Sequence, residues 1–317
     1  MTDIVLATDL GGTNMRMAAV GRSGDVLFRS KERTPRSRDG EAIVDAIVRM
    51  GQECREELVG ENLVAVAVAA PATIDFDNGV ITTSPNLPEM NGLAMNDEIR
   101  KHLGMEAVLE NDANAAAIGE RWLGASKGID NSIMVTLGTG VGGGIFINGE
   151  IIRGPDGTAG EIGHIGVEPE GHKCGCGSRG CVEQYASATA VVRMAKELGA
   201  ENPGSALDKL SDPTSEDVYE TALAGDPLAL EVFRRQGYYL GIMLAGLINA
   251  LNPEAVVVGG GASGGWDLFA PHMEREIKAR SYKEAAERAK ITRSRLGDDA
   301  GILGGARLGF ESAAKAP

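Results

Sequence analysis

Asp9-Leu10-Gly11-Gly12-Thr13-Asn14 sits between two apolar runs, residues 4–9 and 14–20, and its reading decides the fold. An acid ends the first run and two residues without Cβ atoms reverse the chain. A hydroxyl residue follows, so the turn can bring backbone N–H groups close to an anion. A second turn at 21–25 and an apolar-alternating stretch at 26–33 complete an antiparallel meander. The same plan returns at 132–137, Gly138-Thr139-Gly140, 141–147, Asn148-Gly149 and 150–152. Two copies about 130 residues apart are too far separated for a solenoid and predict two related domains that face each other.

Working outward, residues 43–58 have helical spacing, 64–70 read as a buried strand, and 108–110 form a short strand feeding a helix at 113–123. The first domain therefore closes near residue 112. Helices are expected at 187–198, 214–224 and 227–251, the last ended by Pro253, with a strand at 255–258 running into Gly259-Gly260-Gly261. A helical stretch at 302–313 is expected to pack back on the first domain. This divides the chain into an α/β lobe of residues 1–112 plus 301–317 and a larger α/β lobe of residues 113–300. A chain of 317 residues exceeds what one core usually fills, which agrees with two lobes.

Composition excludes several classes. Hydrophobic residues at 43% and charged residues at 24% are those of a globular chain, and aromatics at only 4% leave the core to aliphatic side chains. A formal net charge of −14, with no Lys/Arg cluster, disfavours a nucleic-acid partner. The longest apolar stretches, 63–70 and 242–251, fall short of the roughly 20 residues a membrane span needs. The N-terminus carries no signal-peptide pattern, so a cytoplasmic location is expected.

Four groups of residues carry chemistry. Asp9 with Gly11, Gly12 and Thr13 makes one candidate phosphate turn, with Asp9 meeting Mg²⁺, although a plain hairpin fits the same residues. Gly138, Thr139 and Gly140 make a second, and two such turns facing each other would clamp a triphosphate. Glu110-Asn111-Asp112 ends a strand and opens a helix, so Asp112 is either an N-cap or an ionised acid able to accept a hydroxyl proton. Phosphoryl transfer asks little more of a protein than positioning, charge stabilisation and one such residue. Cys174, Cys176 and Cys181 with one imidazole form a closed tetrahedral set for structural zinc. Spacing leaves His164 and His172 both eligible. Cys54 stands apart.

Residues 9–16, Asn111-Asp112, 138–144, Gly160-Glu161-Ile162-Gly163-His164 and Cys174-x-Cys176-x4-Cys181-x-Glu183 together resemble the ROK family of repressors, open reading frames and sugar kinases. The resemblance spans essentially the whole chain and is strongest to the family's bacterial glucokinases. It implies an actin-like, ribonuclease-H-like ATPase fold with a central cleft between the lobes. It further implies ATP-dependent phosphorylation of a hexose at the C6 hydroxyl, glucose first. Asp112 is then the general base. Asn86, Asn111, Glu161, His164 and Glu183 hold sugar hydroxyls with it, and His164 is the zinc imidazole. Asp9, Gly11, Gly12, Thr13, Asn14, Arg16, Gly138, Thr139 and Gly140 match nucleotide-phosphate positions, Gly259, Gly260 and Gly261 the adenosine-side turn, and a homodimer is implied. The family's usual Pro-Gly is Pro71-Ala72 here, where a methyl group is expected to trim the sugars accepted. A DNA-binding repressor is the rival reading; a meander beginning at residue 4 and the negative charge speak against it.

Overall fold

The computed structural model describes residues 2–36 and 40–315, so the outermost ends of the expected first lobe, and its residues 37–39, lie outside the described residues. Its opening meander is Asp3–Leu10 (β1), Asn14–Gly21 (β2) and Val26–Arg33 (β3). Helix Glu41–Glu57 (α1) leads to Asn62–Ala70 (β4), a hairpin of Thr73–Asp75 (β5) and Val80–Thr83 (β6), helix Met95–Leu103 (α2) and Ala107–Asn111 (β7). Helix Asp112–Leu123 (α3) then hands the chain to the second meander, Ser132–Leu137 (β8), Val141–Ile147 (β9) and Glu150–Ile151 (β10). Beyond it lie Glu183–Ala186 (α4), Ala188–Glu201 (α5), Ser215–Leu223 (α6), Pro227–Leu251 (α7) and Ala255–Gly259 (β11). Trp266–Arg280 (α8), Lys283–Arg288 (α9), Lys290–Arg293 (β12) and Ala300–Ala313 (α10) complete the chain.

The repeat read from the glycine turns is a repeat of whole sheets. One five-stranded sheet has the order β3-β2-β1-β4-β7 and the other β10-β9-β8-β11-β12. In each, three antiparallel strands are extended by two parallel ones. The central strands are covered on both faces, which is why they read as unbroken apolar runs. Ile4, Leu6 and Leu10 of β1 face the core under α1 and α2, while Val5 and Ala7 face α10. In the second sheet Ile133, Val135 and Leu137 pack toward α5, α7 and α8, and Met134 turns to the layer containing α3.

The two sheets meet through α3, which packs on α10 and against β8 and β9. The α3–α10 crossing needs glycine: a Cβ at Gly304 would lie 1.7 Å from the Ala115 carbonyl oxygen, and one at Gly119 2.1 Å from that of Ala300. Glu120 pins the same joint. It is fully buried, its Oε1 accepts from Ser294 Oγ and from the backbone N–H of Arg295 and Leu296, and its Oε2 accepts from Ala125 N–H. Glu120→Leu strands those donors and is expected to lower unfolding free energy by about 3–5 kcal/mol. Urea titration measures it, and a loss below about 1 kcal/mol would contradict the assignment.

Candidate active site

Parallel register gathers the candidate residues. Asp9 pairs with Ala69 and Ala69 with Glu110, so β1, β4 and β7 end together and release the first glycine turn, Pro71-Ala72 and Asn111-Asp112 along one edge. Ligand sites of parallel sheets lie at such carboxyl ends. In the second sheet Thr136 pairs with Gly259, which puts Gly138–Gly140 beside Gly259–Gly261. Gly260 has φ +84°, and a Cβ there would stand 2.5 Å from the Leu137 carbonyl oxygen, so a side chain would push the two turns apart.

Asp112 is the first residue of α3, not its cap. Asn111 takes that place, its Oδ1 accepting from Ala113 N–H at 2.9 Å and Asn114 N–H at 3.1 Å, while its Nδ2 donates to Ala72 O at 3.3 Å. The capping alternative for Asp112 is thereby corrected: both types cap well, and the chain enters the helix one residue earlier. Asp112 keeps part of its surface, and Ala113 N–H donates to its Oδ1 at 2.8 Å. Burial pushes its carboxyl up to about 6, and the charges of Asp9 and Glu161 push the same way. Those charges bring β1, α3 and the Gly160-Glu161 segment into one electrostatic neighbourhood.

Asp9 Oδ2 is bound by Arg16 Nη2 at 2.5 Å, and Arg16 Nη1 reaches Asp298 at 3.0 Å. Arg16 and Asp9 thus engage each other. Thr13 and Asn14 are exposed at the turn. Gly12 lies against Asn86, and Arg36 spans both, donating to Gly12 O at 2.7 Å and Asn86 O at 2.9 Å. Sequence reasoning passed over Arg36, because contacts with chain separations of 24 and 50 leave no local pattern. Ala72, which stands where the family usually has glycine, is 6% exposed and packs in the core under α1 and α2.

Around the second turn, Thr189 Oγ1 donates to Thr139 O at 2.8 Å and Ala188 N–H to Gly138 O at 2.8 Å. Glu183 Oε2 accepts from Val141 N–H at 3.1 Å, one residue past the turn. A Cβ at Gly140 would collide with that carboxylate at 2.4 Å. Glu183 therefore joins the glycine turn to the cysteine loop.

His164, Cys174, Cys176 and Cys181 offer donor atoms that all lie within 4.8 Å of one another. Cys174 Sγ is 3.6 Å from His164 Nδ1, and Cys176 Sγ is 3.7 Å from Cys181 Sγ. Zinc bonds of about 2.3 Å to sulfur and 2.0 Å to nitrogen give tetrahedral edges of about 3.5–3.8 Å, so the donor set fits that ion. His172 stands outside the cluster, its Nε2 2.7 Å from Arg193 Nη1. His164 Nε2 points to the Glu161 side, 3.8 Å from Oε2. Cys54 is a core thiol that burial pushes up to about 12, out of the range of thiolate chemistry.

Two like sheets, each ending in a glycine turn and joined by α3 with its carboxylate, define an actin-like ATPase fold. The ROK family model matches residues 5–311, and the chain belongs to the ROK family. It is 37% identical to the glucokinase of Halalkalibacterium halodurans over 96% of this chain and 94% of that one. The crystal structure of a ROK family glucokinase from Streptomyces griseus in complex with glucose and AMPPNP superposes with a TM-score of 0.83 at 35% identity, covering 97% of this chain and 99% of that one. A ROK family transcriptional regulator superposes with a TM-score of 0.90 at 28% identity, over 99% of this chain and 79% of the regulator.

Proposed function

We propose that this protein is an ATP-dependent hexokinase that phosphorylates the C6 hydroxyl of glucose. The observation that carries the reading is Asp112, a carboxylate with its acidity weakened to about 6 at the joint of the two sheets. A base working near neutral pH needs that tuning. The likeness to a glucokinase that binds glucose and AMPPNP supports substrate and donor alike.

In this reading the lobes, residues 1–112 with 301–317 and residues 113–300, close on both substrates. Asn86, Asn111, Glu161, His164 and Glu183 hold the sugar hydroxyls. Gly11, Gly12, Thr13 and Asn14 with Arg16, and Gly138, Thr139 and Gly140, offer donors to the phosphates, and Gly259, Gly260 and Gly261 flank the adenosine. Asp112 takes the C6 proton as that oxygen attacks the γ-phosphorus in line. Asp9, whose Oδ1 Arg16 leaves free, would be the carboxylate that holds Mg²⁺, which would supply positive charge against the phosphates. His164, Cys174, Cys176 and Cys181 would hold Zn²⁺, whose part would be structural: with four protein donors it would brace the loop that carries Glu161, His164 and Glu183 and take no part in the chemistry. A homodimer and a cytoplasmic setting, with ATP and reduced thiols at hand, belong to the same reading; sedimentation velocity and cell fractionation test them. No helix among the described residues is long and apolar enough to cross a membrane.

A coupled ADP-release assay over glucose, mannose, fructose, allose and N-acylhexosamines tests the assignment, with polyphosphate tried as donor. Glucose with ATP is expected to give the highest kcat/KM; preference for another sugar would replace glucose, and no sugar-dependent release would remove the kinase reading. Because the base must be ionised, kcat/KM for glucose is expected to fall about tenfold per pH unit below about 6. A flat profile from pH 7 to pH 5 would contradict that role for Asp112. The likeness to a regulator favours a second reading, sugar-responsive DNA binding. Against it stands the net charge of −14, and a gel shift on the full chain decides.

A further inference from the structure

Glu110 immediately precedes the Asn111-Asp112 pair, yet the mechanism above gives it no task. It is 2% exposed, and donors occupy both its oxygens. Oε1 accepts from Asn111 N–H at 3.0 Å and Asn114 Nδ2 at 3.1 Å. Oε2 accepts from Arg153 Nε at 2.8 Å and Nη2 at 2.5 Å. Arg153 comes from the other half of the molecule, just past β10, and its guanidinium carbon lies 5.0 Å from the centre of the Phe76 ring, next to β5. One arginine therefore ties the second sheet to β7 through charge and to the β5–β6 hairpin through stacking.

The segment that Arg153 opens leads straight to Glu161. Ala159 N–H donates to Arg153 O at 3.0 Å and closes the turn. Gly157, at φ +75°, is pressed on the hairpin so closely that a Cβ would stand 2.4 Å from Ile74 O, and one at Gly160 would stand 2.8 Å from Gly143 O. Residues 153–160 are thus wedged between the hairpin and β9, with Glu161 next in the chain. On the opposite side Glu110 fixes the Asn111 backbone and, through Asn114, the first turn of α3. A buried carboxylate is tolerated only when its partners are all present, so the pair holds both segments in one arrangement.

We propose that Glu110 and Arg153 are positioning residues for the acceptor sugar: their ion pair, buried on the Glu110 side, aligns the Glu161 segment with the Asn111-Asp112 end of α3. The inference rests on the hexokinase reading and assigns the sugar side of that site a support that lies outside the ligand-contacting set. The phosphate turns hang on other contacts, Thr34, Arg36, Ala188 and Thr189, so they should not feel the change.

The test uses the full-length protein with its metal content verified, comparing wild type, Arg153→Lys, Glu110→Gln and the double variant. Glucose Kd by calorimetry, KM for glucose and for ATP, kcat and melting temperature are measured on each. Arg153→Lys keeps the charge but loses the two-pronged, stacked geometry, and is expected to remain folded. Its glucose Kd and KM should rise about ten- to a hundredfold while its ATP KM stays within about twofold. Because the two residues act as one unit, the double variant should lose little more than the worse single one. Equal changes in both KM values, an unaltered glucose Kd in folded Arg153→Lys, additive losses, or failure of both single variants to fold would each overturn the sugar-positioning role. A wild type that phosphorylates no hexose overturns the functional reading itself, and the sugar-specific role with it; an active wild type with an unaffected Arg153→Lys overturns this inference alone.

Discussion

Asp112→Asn is expected to lower glucose-dependent turnover by on the order of 10³- to 10⁴-fold while glucose Kd moves by less than about threefold. The amide keeps the size of the side chain and its acceptor for Ala113 N–H, so α3 and the sugar contacts persist; only the proton acceptor is removed. The same substitution is expected to raise stability at neutral pH. Burial and the charges of Asp9 and Glu161 lift the folded-state value of Asp112 from 3.8 to about 6, so the fold disfavours the ionised form. That penalty is absent below pH 3.8, develops between 3.8 and about 6, and is constant above. At roughly 1.4 kcal/mol per unit it reaches at most about 3 kcal/mol, and Asn removes it. Melting curves of both proteins at pH 7.5 should differ in favour of the variant, and the gap should shrink near pH 4. Activity within about tenfold of wild type would end the assignment of Asp112 as base.

If the Cys174–Cys176–Cys181–His164 cluster holds zinc as proposed, stripping the metal is expected to raise the glucose KM about a hundredfold under conditions where the rest of the chain stays folded. Between Gly160 and α4 regular structure is sparse: one short 3₁₀ turn at Ile162–His164 and isolated bridges pairing Gly166 with Cys181 and Lys173 with Arg179. Cys181 is fully buried, so the loop closes inward on the donor cluster. With no ion between them, three thiols and an imidazole gathered within 4.8 Å would be left to the loop's few backbone bridges, and the hold on Glu161, His164 and Glu183 would loosen. ATP binding should suffer less, although Glu183 also receives the Val141 N–H beside the second glycine turn. Kinetics on a chelated sample with metal content measured, alongside Cys181→Ser, check this. Unchanged glucose KM in verified zinc-free protein would separate the loop from the sugar site.

The duplicated sheet was legible because its central strands are buried on both faces and its turns need glycine, both of which mark the sequence directly. The Gly138–Gly140 and Gly259–Gly261 turns declared themselves in the same way. Several elements escaped, α2, α4 and α9 among them, and three others show why. The β5–β6 hairpin has strands too short to show a period. Strand β12, Lys-Ile-Thr-Arg at a sheet edge, carries no apolar run. Helix α8 begins after a glycine-rich stretch and contains Pro271, which reads as a helix breaker.

At the site, Asp112, Glu161 and the cysteine cluster could be picked out because their chemistry is concentrated in short motifs. Arg36, Arg153 and the use of Glu110 could not, since each is defined by a partner 24 to 50 residues away. The choice between His164 and His172 likewise depended on where the loop folds, which spacing does not encode. The Asn111 cap shows the same limit over a single residue: two good capping types in succession leave the first helical residue open.

On the proposed reading, this fold passes the γ-phosphoryl group of ATP to the C6 hydroxyl of a hexose and to no other acceptor. Phosphorus NMR of the wild-type reaction with glucose, run beside 6-deoxyglucose and a sugar-free control, tests it most directly. One hexose 6-phosphate should appear for each ADP with glucose, and neither with 6-deoxyglucose or without sugar. Phosphorylation at another hydroxyl, or ADP formed at equal rates in all three tubes, would contradict the account.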